Sequence, residues 1–273
     1  MHEFHLHLVS DATGETVGSV ARACLAQFSD SKPVEHLWAM VRSPEHIQDV
    51  IEGIKLNPGF VLYTLVNPDI RSKLVSVCQE IGVPSVSVLQ PIMAAFGSYL
   101  KTGFQARPGL QHALDGDYYS RIDAMDYALA HDDGQAAHNL DEADVVIMGV
   151  SRTSKTPTCV YLANRGIKAA NIPIILGCEV PVEVFRLKDP LVVGLVKNPR
   201  SLVQIRRNRL RMLSKNTDTD YANLETVAEE VSFANRLFAQ QGWPVIDVTR
   251  KSIEETAAEI IRLRASHREH AAE

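Results

Sequence analysis

At 273 residues the chain has room for two domains of ordinary size, and its 45% hydrophobic, 22% charged and 6% aromatic content is that of a soluble globular protein. A net charge of −5 argues against a general nucleic-acid binder, and the lack of any run of about 18 apolar residues excludes a membrane-spanning helix. Cys24, Cys78, Cys159 and Cys178 are far apart and form no C-x-x-C pair, and no targeting sequence precedes the first strand pattern, so reduced thiols and a cytoplasmic location are expected.

From residue 4 to about 100 the pattern alternates strand and helix. Strands are expected at Phe4–Val9, Val34–Val41, Gly59–Val66 and Ser85–Leu89, and helices at Thr16–Gln27, Pro44–Lys55, Pro68–Ile81 and Ile92–Lys101. Such alternation implies a parallel sheet with helices on both faces and ligands at the carboxyl ends of its strands. The first such end, Ser10-Asp11-Ala12-Thr13-Gly14-Glu15-Thr16, reads either as a phosphate- or substrate-contacting loop or as a capping box that serves only the following helix.

Residues 102 to 139 break the rhythm. Gly103, Arg107-Pro108-Gly109 and Asp115-Gly116-Asp117 mark an irregular polar connection, followed by a short helix, Tyr119–Ala130, with Ile122, Met125, Tyr127 and Leu129 as its apolar members. It ends in His131-Asp132-Asp133-Gly134. An acidic pair beside a histidine suits orienting a metal or taking a proton from an attacking hydroxyl; the plain alternative is a helix stop chosen for turn geometry.

A second α/β unit starts at Ala143, giving expected boundaries of 1–105, a connecting segment 106–140, and 141–273. Its first strand, Val145-Val146-Ile147-Met148, runs into Gly149-Val150-Ser151-Arg152-Thr153-Ser154-Lys155-Thr156 and then into a helix with Pro157 in its first turn and a stop at Asn164-Arg165-Gly166. A phosphate-binding P-loop needs a glycine to leave the strand, inward backbone N–H groups, a lysine for the terminal phosphates and a hydroxyl for the metal. Gly149, Lys155 and Thr156 stand at that spacing, and Ser154 occupies the place of the second glycine. The fold class expected is therefore α/β with two parallel-sheet units, the C-terminal one a P-loop-type nucleotide-binding domain.

Further strands are expected at Ile172–Leu176, Leu191–Val196 and Val245–Val248. Helices are expected near Val180–Arg186, Pro199–Leu213, Asn223–Gln240 and Ile253–Ala265, then a frayed polar tail. Pro199 to Lys215 holds Arg200, Arg206, Arg207, Arg209 and Arg211, with Arg206 turned away from the face shared by Arg200, Arg207 and Arg211. Guanidinium forks suit phosphate oxygens; a solvated helix paired to Glu225, Glu229 or Glu230 is the alternative.

Taken together, Ser10–Thr16, Arg121-Ile122-Asp123-Ala124-Met125 leading to His131–Gly134, Asp144–Pro157, Ala170-Asn171-Ile172-Pro173 and Ile205-Arg206 to Arg209 resemble the pyruvate, phosphate dikinase regulatory protein family, which is similar to the phosphoenolpyruvate synthetase regulatory proteins. The family's own version of the loop carries serine at the position of Ser154. The resemblance implies a bifunctional enzyme that uses ADP to phosphorylate a threonine near the catalytic histidine of pyruvate, phosphate dikinase, and removes the group by phosphorolysis with Pi, releasing PPi. It carries the nucleotide-binding role onto Gly149–Thr156, with Lys155 as a catalytic group and Thr156 helping to hold Mg²⁺. The general base stays open among His131, Asp132 and Asp133, with Asp11 as rival. A homodimer is compatible with the sequence. Competing readings are the same chemistry on phosphoenolpyruvate synthetase, a non-catalytic ADP sensor, and a P-loop kinase for a small metabolite.

Overall fold

Short apolar runs separated by amphipathic stretches with their own caps make alternating strands and helices in this chain. The computed structural model describes residues 2–110, 116–134, 137–213 and 219–271. Residues 111–115 and 135–136 of the expected irregular connection, 214–215 at the end of the arginine-rich stretch and 272–273 of the polar tail lie outside the described residues. The chain forms two compact units, residues 1–113 and 114–273.

In the first unit β1 (His2–Ser10), β2 (Ser31–Trp38), β3 (Gly59–Thr64) and β4 (Ser85–Ser87) make a parallel sheet in the order β2-β1-β3-β4. The helices between and after them are α1 (Glu15–Leu25), α2 (Pro44–Leu56), α3 (Pro68–Glu80) and α4 (Gln90–Leu100). Ser43 and Asn67 cap α2 and α3 through their side-chain oxygens, each just ahead of a proline whose missing N–H costs nothing there. Ile47, Ile51 and Ile54 of α2 and Ile70 and Leu74 of α3 pack with Val9 and Val61, while Val17 and Ala21 of α1 pack with Leu6 and Leu8. β2 stops at Trp38 rather than at the expected Val41 because Met40, at φ 57°, leaves the extended region.

The second unit repeats the winding. β5 (Val145–Gly149), β6 (Ala169–Pro173), β7 (Leu191–Val196) and β8 (Val245–Asp247) are parallel in the order β6-β5-β7-β8. α6 (Lys155–Ala163) and α9 (Ile253–Ala271) bury their apolar sides in one cluster, α7 (Pro199–Met212) and α8 (Leu224–Gln241) in the other, and α5 (Gly116–Ala130) adds Ala124 and Ala128 to the first and Tyr127 to the second. In both units strand order reverses beside the first strand, so β1 and β3, and β5 and β7, end at a switch point where such sheets take ligands.

Four stretches depart from their expected course. α5 buries Ala124, Tyr127 and Ala128, whereas Ile122 and Leu129 are exposed; the small alanines let the helix lie close to α6 and β6. β6 begins at Ala169, three residues before the expected Ile172, because the weak strand formers Ala169 and Ala170 are held in register beside Val145 and Val146. The helix expected near Val180–Arg186 is a single 3₁₀ segment, Val182–Arg186. α9 continues through the expected frayed tail to Ala271, supported by Arg264 and Arg268, which both pair with Asp144 ahead of β5. Among the described residues no helix is long and apolar enough to cross a membrane.

Candidate active site in the second unit

All five residues of β5 are buried, and the strand ends at a glycine for a steric reason. A Cβ on Gly149 would stand 2.5 Å from the Leu195 carbonyl oxygen and 2.8 Å from Thr153 Oγ1, so a side chain there would collide with β7 and with the turn that follows. Arg152 and Ser154 adopt left-handed backbone, at φ 73° and 65°. Ser154 is the N-cap of α6 yet makes no side-chain bond to the helix. It stands in the conformation the absent glycine would have taken freely, at a cost on the order of 1 kcal/mol. The turn is stitched from inside: Thr153 Oγ1 donates to the Val150 carbonyl at 3.0 Å, and Lys155 Nζ donates to the same oxygen at 3.1 Å. Among the described residues none accepts a hydrogen bond from the N–H groups of Ser151, Arg152, Thr153 or Ser154, which leaves four donors beside the N-terminus of α6.

Lys155 is 6% exposed. Burial pushes its ammonium down to about 8, against the opposing pull of Asp133, Cys159 and Asp132. With Ser151, Arg152 and Thr156 it lines an open cavity of 570 Å³, which Asp133 closes from the β6 side and Lys197 from the end of β7. Ile175 and Ile205, both exposed, supply apolar surface at its wall.

The acidic turn is held against this loop by one residue. Asn171 of β6 donates its backbone N–H to the His131 carbonyl at 2.9 Å and accepts the Gly134 N–H at 2.8 Å. Its side-chain Nδ2 lies 2.5 Å from Asp132 Oδ1, 3.0 Å from Thr156 Oγ1 and 3.3 Å from Asp133 Oδ1. Thr156 in turn donates its hydroxyl to Asp132 Oδ1 at 2.8 Å. Lys155, Thr156, Asp132 and Asp133 are therefore brought together. His131 is not part of the cavity wall: it is buried, stacked on Tyr127 with ring centroids 3.8 Å apart, and its Nδ1 donates to the Tyr127 carbonyl at 2.9 Å. Asn171 escaped notice as a working residue, although an amide in the buried run Ala169-Ala170-Asn171-Ile172 is itself a signal, since a polar group there must have a partner.

On the opposite side the arginine-rich helix contributes a brace. Arg206 is fully buried; its guanidinium donates to the Ser151 and Tyr221 carbonyls, lies over the Tyr221 ring and pairs with Glu230 at 2.6 Å. The Tyr221 hydroxyl meets Ser151 Oγ at 3.0 Å and accepts from Arg152 Nε at 3.3 Å. Arg200, Arg207, Arg209 and Arg211 are exposed and outside the cavity wall, so the expected cluster of forks resolves into one structural arginine and a solvated face.

Asp11 lies in the first unit, at a separate cavity of 240 Å³ also lined by Glu15, Thr16, Thr64 and Arg107. Its Oδ2 accepts the Val66 N–H at 2.7 Å, and burial pushes its carboxyl up. The alternative of a capping box does not materialise: the N-cap of α1 is Gly14, in left-handed backbone at φ 87°, with no side-chain cap. The two turns share a left-handed residue just ahead of the helix, Gly14 and Ser154, and differ in the charge that follows it. Gly14, Glu15 and Thr16 open α1 as Ser154, Lys155 and Thr156 open α6.

Among the described residues no three His, Cys, Asp or Glu side chains converge to hold a metal alone. The oxygens of Thr156, Asp132 and Asp133 nevertheless fit Mg²⁺, which takes one or two carboxylates and completes its shell with water and substrate phosphate.

The family model described as kinase/pyrophosphorylase matches residues 6–261 of this chain. The chain belongs to the kinase/pyrophosphorylase family. It is similar to proteins named pyruvate, phosphate dikinase regulatory protein from several bacteria. One from Paramagnetospirillum magneticum is 54% identical over 98% of this chain and 86% of its own length. Others are from Rhodospirillum rubrum, at 53% over 96% and 95%, and Caulobacter vibrioides, at 50% over 95% and 82%. As a member of the kinase/pyrophosphorylase family the chain is a phosphotransfer enzyme, and Lys155, Thr156 and Asp133 line one cavity of its second unit.

Proposed function

We propose that this chain is a regulator of pyruvate, phosphate dikinase that works in two directions. It transfers the β-phosphoryl group of ADP to a threonine of the dikinase, and it removes that group with Pi, releasing PPi. The reading is carried by one observation: Lys155, Thr156, Asp133 and the loop residues Ser151, Arg152 and Ser154 line one cavity of 570 Å³, and Asp132 is bonded to Thr156. That is the equipment of a P-loop-type site, despite Ser154.

Phosphoryl transfer depends on positioning and on neutralising charge spread over the phosphoryl oxygens. Lys155 and Arg152 neutralise that charge, and the loop N–H groups hold the phosphate being cleaved or attacked. The same cradle accepts the β-phosphate of ADP in one reaction and Pi in the other. Thr156 and Asp132 would hold Mg²⁺, which supplies electrostatic shielding of the phosphate oxygens when bound. The acidic turn handles the hydroxyl proton.

The test is incubation of the protein with β-labelled ADP and purified pyruvate, phosphate dikinase, mapping of the labelled residue, and then addition of Pi. The expected result is label on one threonine, AMP as co-product, and PPi on phosphorolysis. Label on phosphoenolpyruvate synthetase instead would reassign the target. ADP binding with no transfer to either protein would overturn the enzymatic reading in favour of a sensor.

A further inference from the structure

Resting on that reading, we propose that the cavity is polarised. The nucleoside of ADP lies against Ile205 of α7, the threonine segment of the target protein enters over Pro173 and Ile175 at the end of β6, and Lys197 serves the phosphate that is not being transferred. The wall at Ile205 is therefore used in one direction of the reaction and idle in the other.

The acids fix one side. Asp132 and Asp133 are held next to β6, where Asn171 bonds to both ends of their turn and ties it to Thr156. Pro173, the last residue of β6, lies against that turn: a Cβ on Gly134 would stand 3.3 Å from Pro173 Cδ. An acceptor hydroxyl that gives its proton to the acidic turn thus approaches over Pro173 and Ile175, the latter 53% exposed. Attacking and leaving oxygens stand roughly in line across the transferring phosphorus. The leaving group must then lie opposite, where the cavity wall is Lys197 and Ile205.

That second side suits a nucleoside phosphate. Leu202 and Val203 of α7 go into the core, whereas Ile205 is 36% exposed and lines the cavity. The helix is anchored to the loop at the very next residue, since Arg206 donates from Nε and Nη2 to the Ser151 carbonyl at 3.4 and 3.1 Å. Ile205 is therefore a fixed apolar surface on a helix otherwise rich in arginine, and it matches the flat face of a base. Lys197 directly follows β7 and makes no ion pair among the described residues, which leaves its charge for a phosphate.

In the forward direction the threonine Oγ bonds to the β-phosphorus and the bond from that phosphorus to the bridging oxygen breaks. AMP leaves with that oxygen and its electron pair, and the hydroxyl proton passes to the acidic turn and on to water. In the return direction an oxygen of hydrogenphosphate bonds to the phosphothreonine phosphorus from the side AMP vacated. The bond to Oγ breaks, the proton of hydrogenphosphate ends on that oxygen, and PPi forms. Pi then stands beside Lys197 as the α-phosphate did, and it brings no nucleoside to Ile205.

Initial rates of transfer from β-labelled ADP to the dikinase, and of Pi-dependent PPi release from the phosphorylated dikinase, are measured for full-length wild type, Ile205→Ser, Ile175→Ser and Lys197→Met. Ile205→Ser should raise KM for ADP by roughly tenfold at constant kcat, as loss of one apolar contact does. Its PPi release and KM for Pi should stay within about twofold of wild type, which also reports that the variant is folded. AMP should compete with Pi in that reaction, and Ile205→Ser should weaken the inhibition by the same factor of about ten. Lys197→Met should raise KM for ADP and for Pi alike, by roughly 10–100-fold. Ile175→Ser should raise KM for the dikinase in both directions and leave that for ADP unaltered. Equal losses in both directions for Ile205→Ser, an unchanged KM for ADP, or an ADP effect at Ile175 in place of Ile205 would each overturn the polarity. Absence of transfer by the wild-type protein would instead sink the underlying function.

Discussion

Lys155 holds its charge in a place that ordinarily repels it. Its ammonium is depressed from 10.5 to about 8, so between those values the unfolded chain binds a proton that the folded chain has released, and the stability of the ligand-free protein rises with pH across that window. The penalty at neutral pH is on the order of 3 kcal/mol. Lys155→Met should therefore raise the urea midpoint at pH 7, flatten its rise between pH 8 and 10.5, and abolish ADP binding; an unaltered pH dependence would contradict this. Phosphate oxygens beside the ammonium favour its charged form, so ADP binding near pH 9 should take up a proton. Calorimetry in two buffers of different ionisation enthalpy measures that uptake, and none is the contrary result. The sequence made the lysine legible through its distance from Gly149, and it marked Ser154 as the anomaly. For Asn171 it offered only a polar residue in an apolar strand, because spacing along the chain says nothing about which residue of β6 faces the end of α5.

Between elements, the stiffness of the loop comes from α7, α8 and the 3₁₀ segment Asp220–Ala222 that joins them to it. Removing one partner of a buried pair strands the other, so Glu230→Ala should cost about 3–5 kcal/mol by denaturant unfolding. Tyr221→Phe keeps the carbonyl that Arg206 grips and loses only the hydroxyl at Ser151 and Arg152. It should raise KM for ADP by roughly 3–10-fold, one hydrogen bond's worth, with little loss of stability. A comparable loss in both quantities would place Tyr221 in the core rather than at the site. Helical periodicity was enough to separate Arg206 from Arg207. Glu230 is among the acids expected to pair with that helix, and it does so; that the pair is Arg206–Glu230 and lies buried depends on how helices cross, which local patterning does not encode. The same limit explains α5, where Tyr127 is buried as expected but Ile122 and Leu129 are exposed and Ala124 and Ala128 make the contact.

At the scale of the whole molecule, the buried clusters of residues 4–88 and those of residues 124–263 share no members, so each sheet is covered by its own helices. A fragment comprising residues 114–273 should therefore melt cooperatively and bind ADP within about threefold of the full chain, under 1 kcal/mol. A fragment that stays unfolded would refute this independence. Alternation of strand and helix announced two parallel sheets in advance. That both are wound in the same order did not emerge, since order is decided by which way each crossover turns and the two stretches share no visible repeat. The two windings carry glutamate and lysine at matching places, Glu15 and Lys155, each directly after a left-handed N-cap residue. A molecule so made is a doublet in architecture and a singlet in its appetite for nucleotide: titration with ADP should saturate at one equivalent per chain.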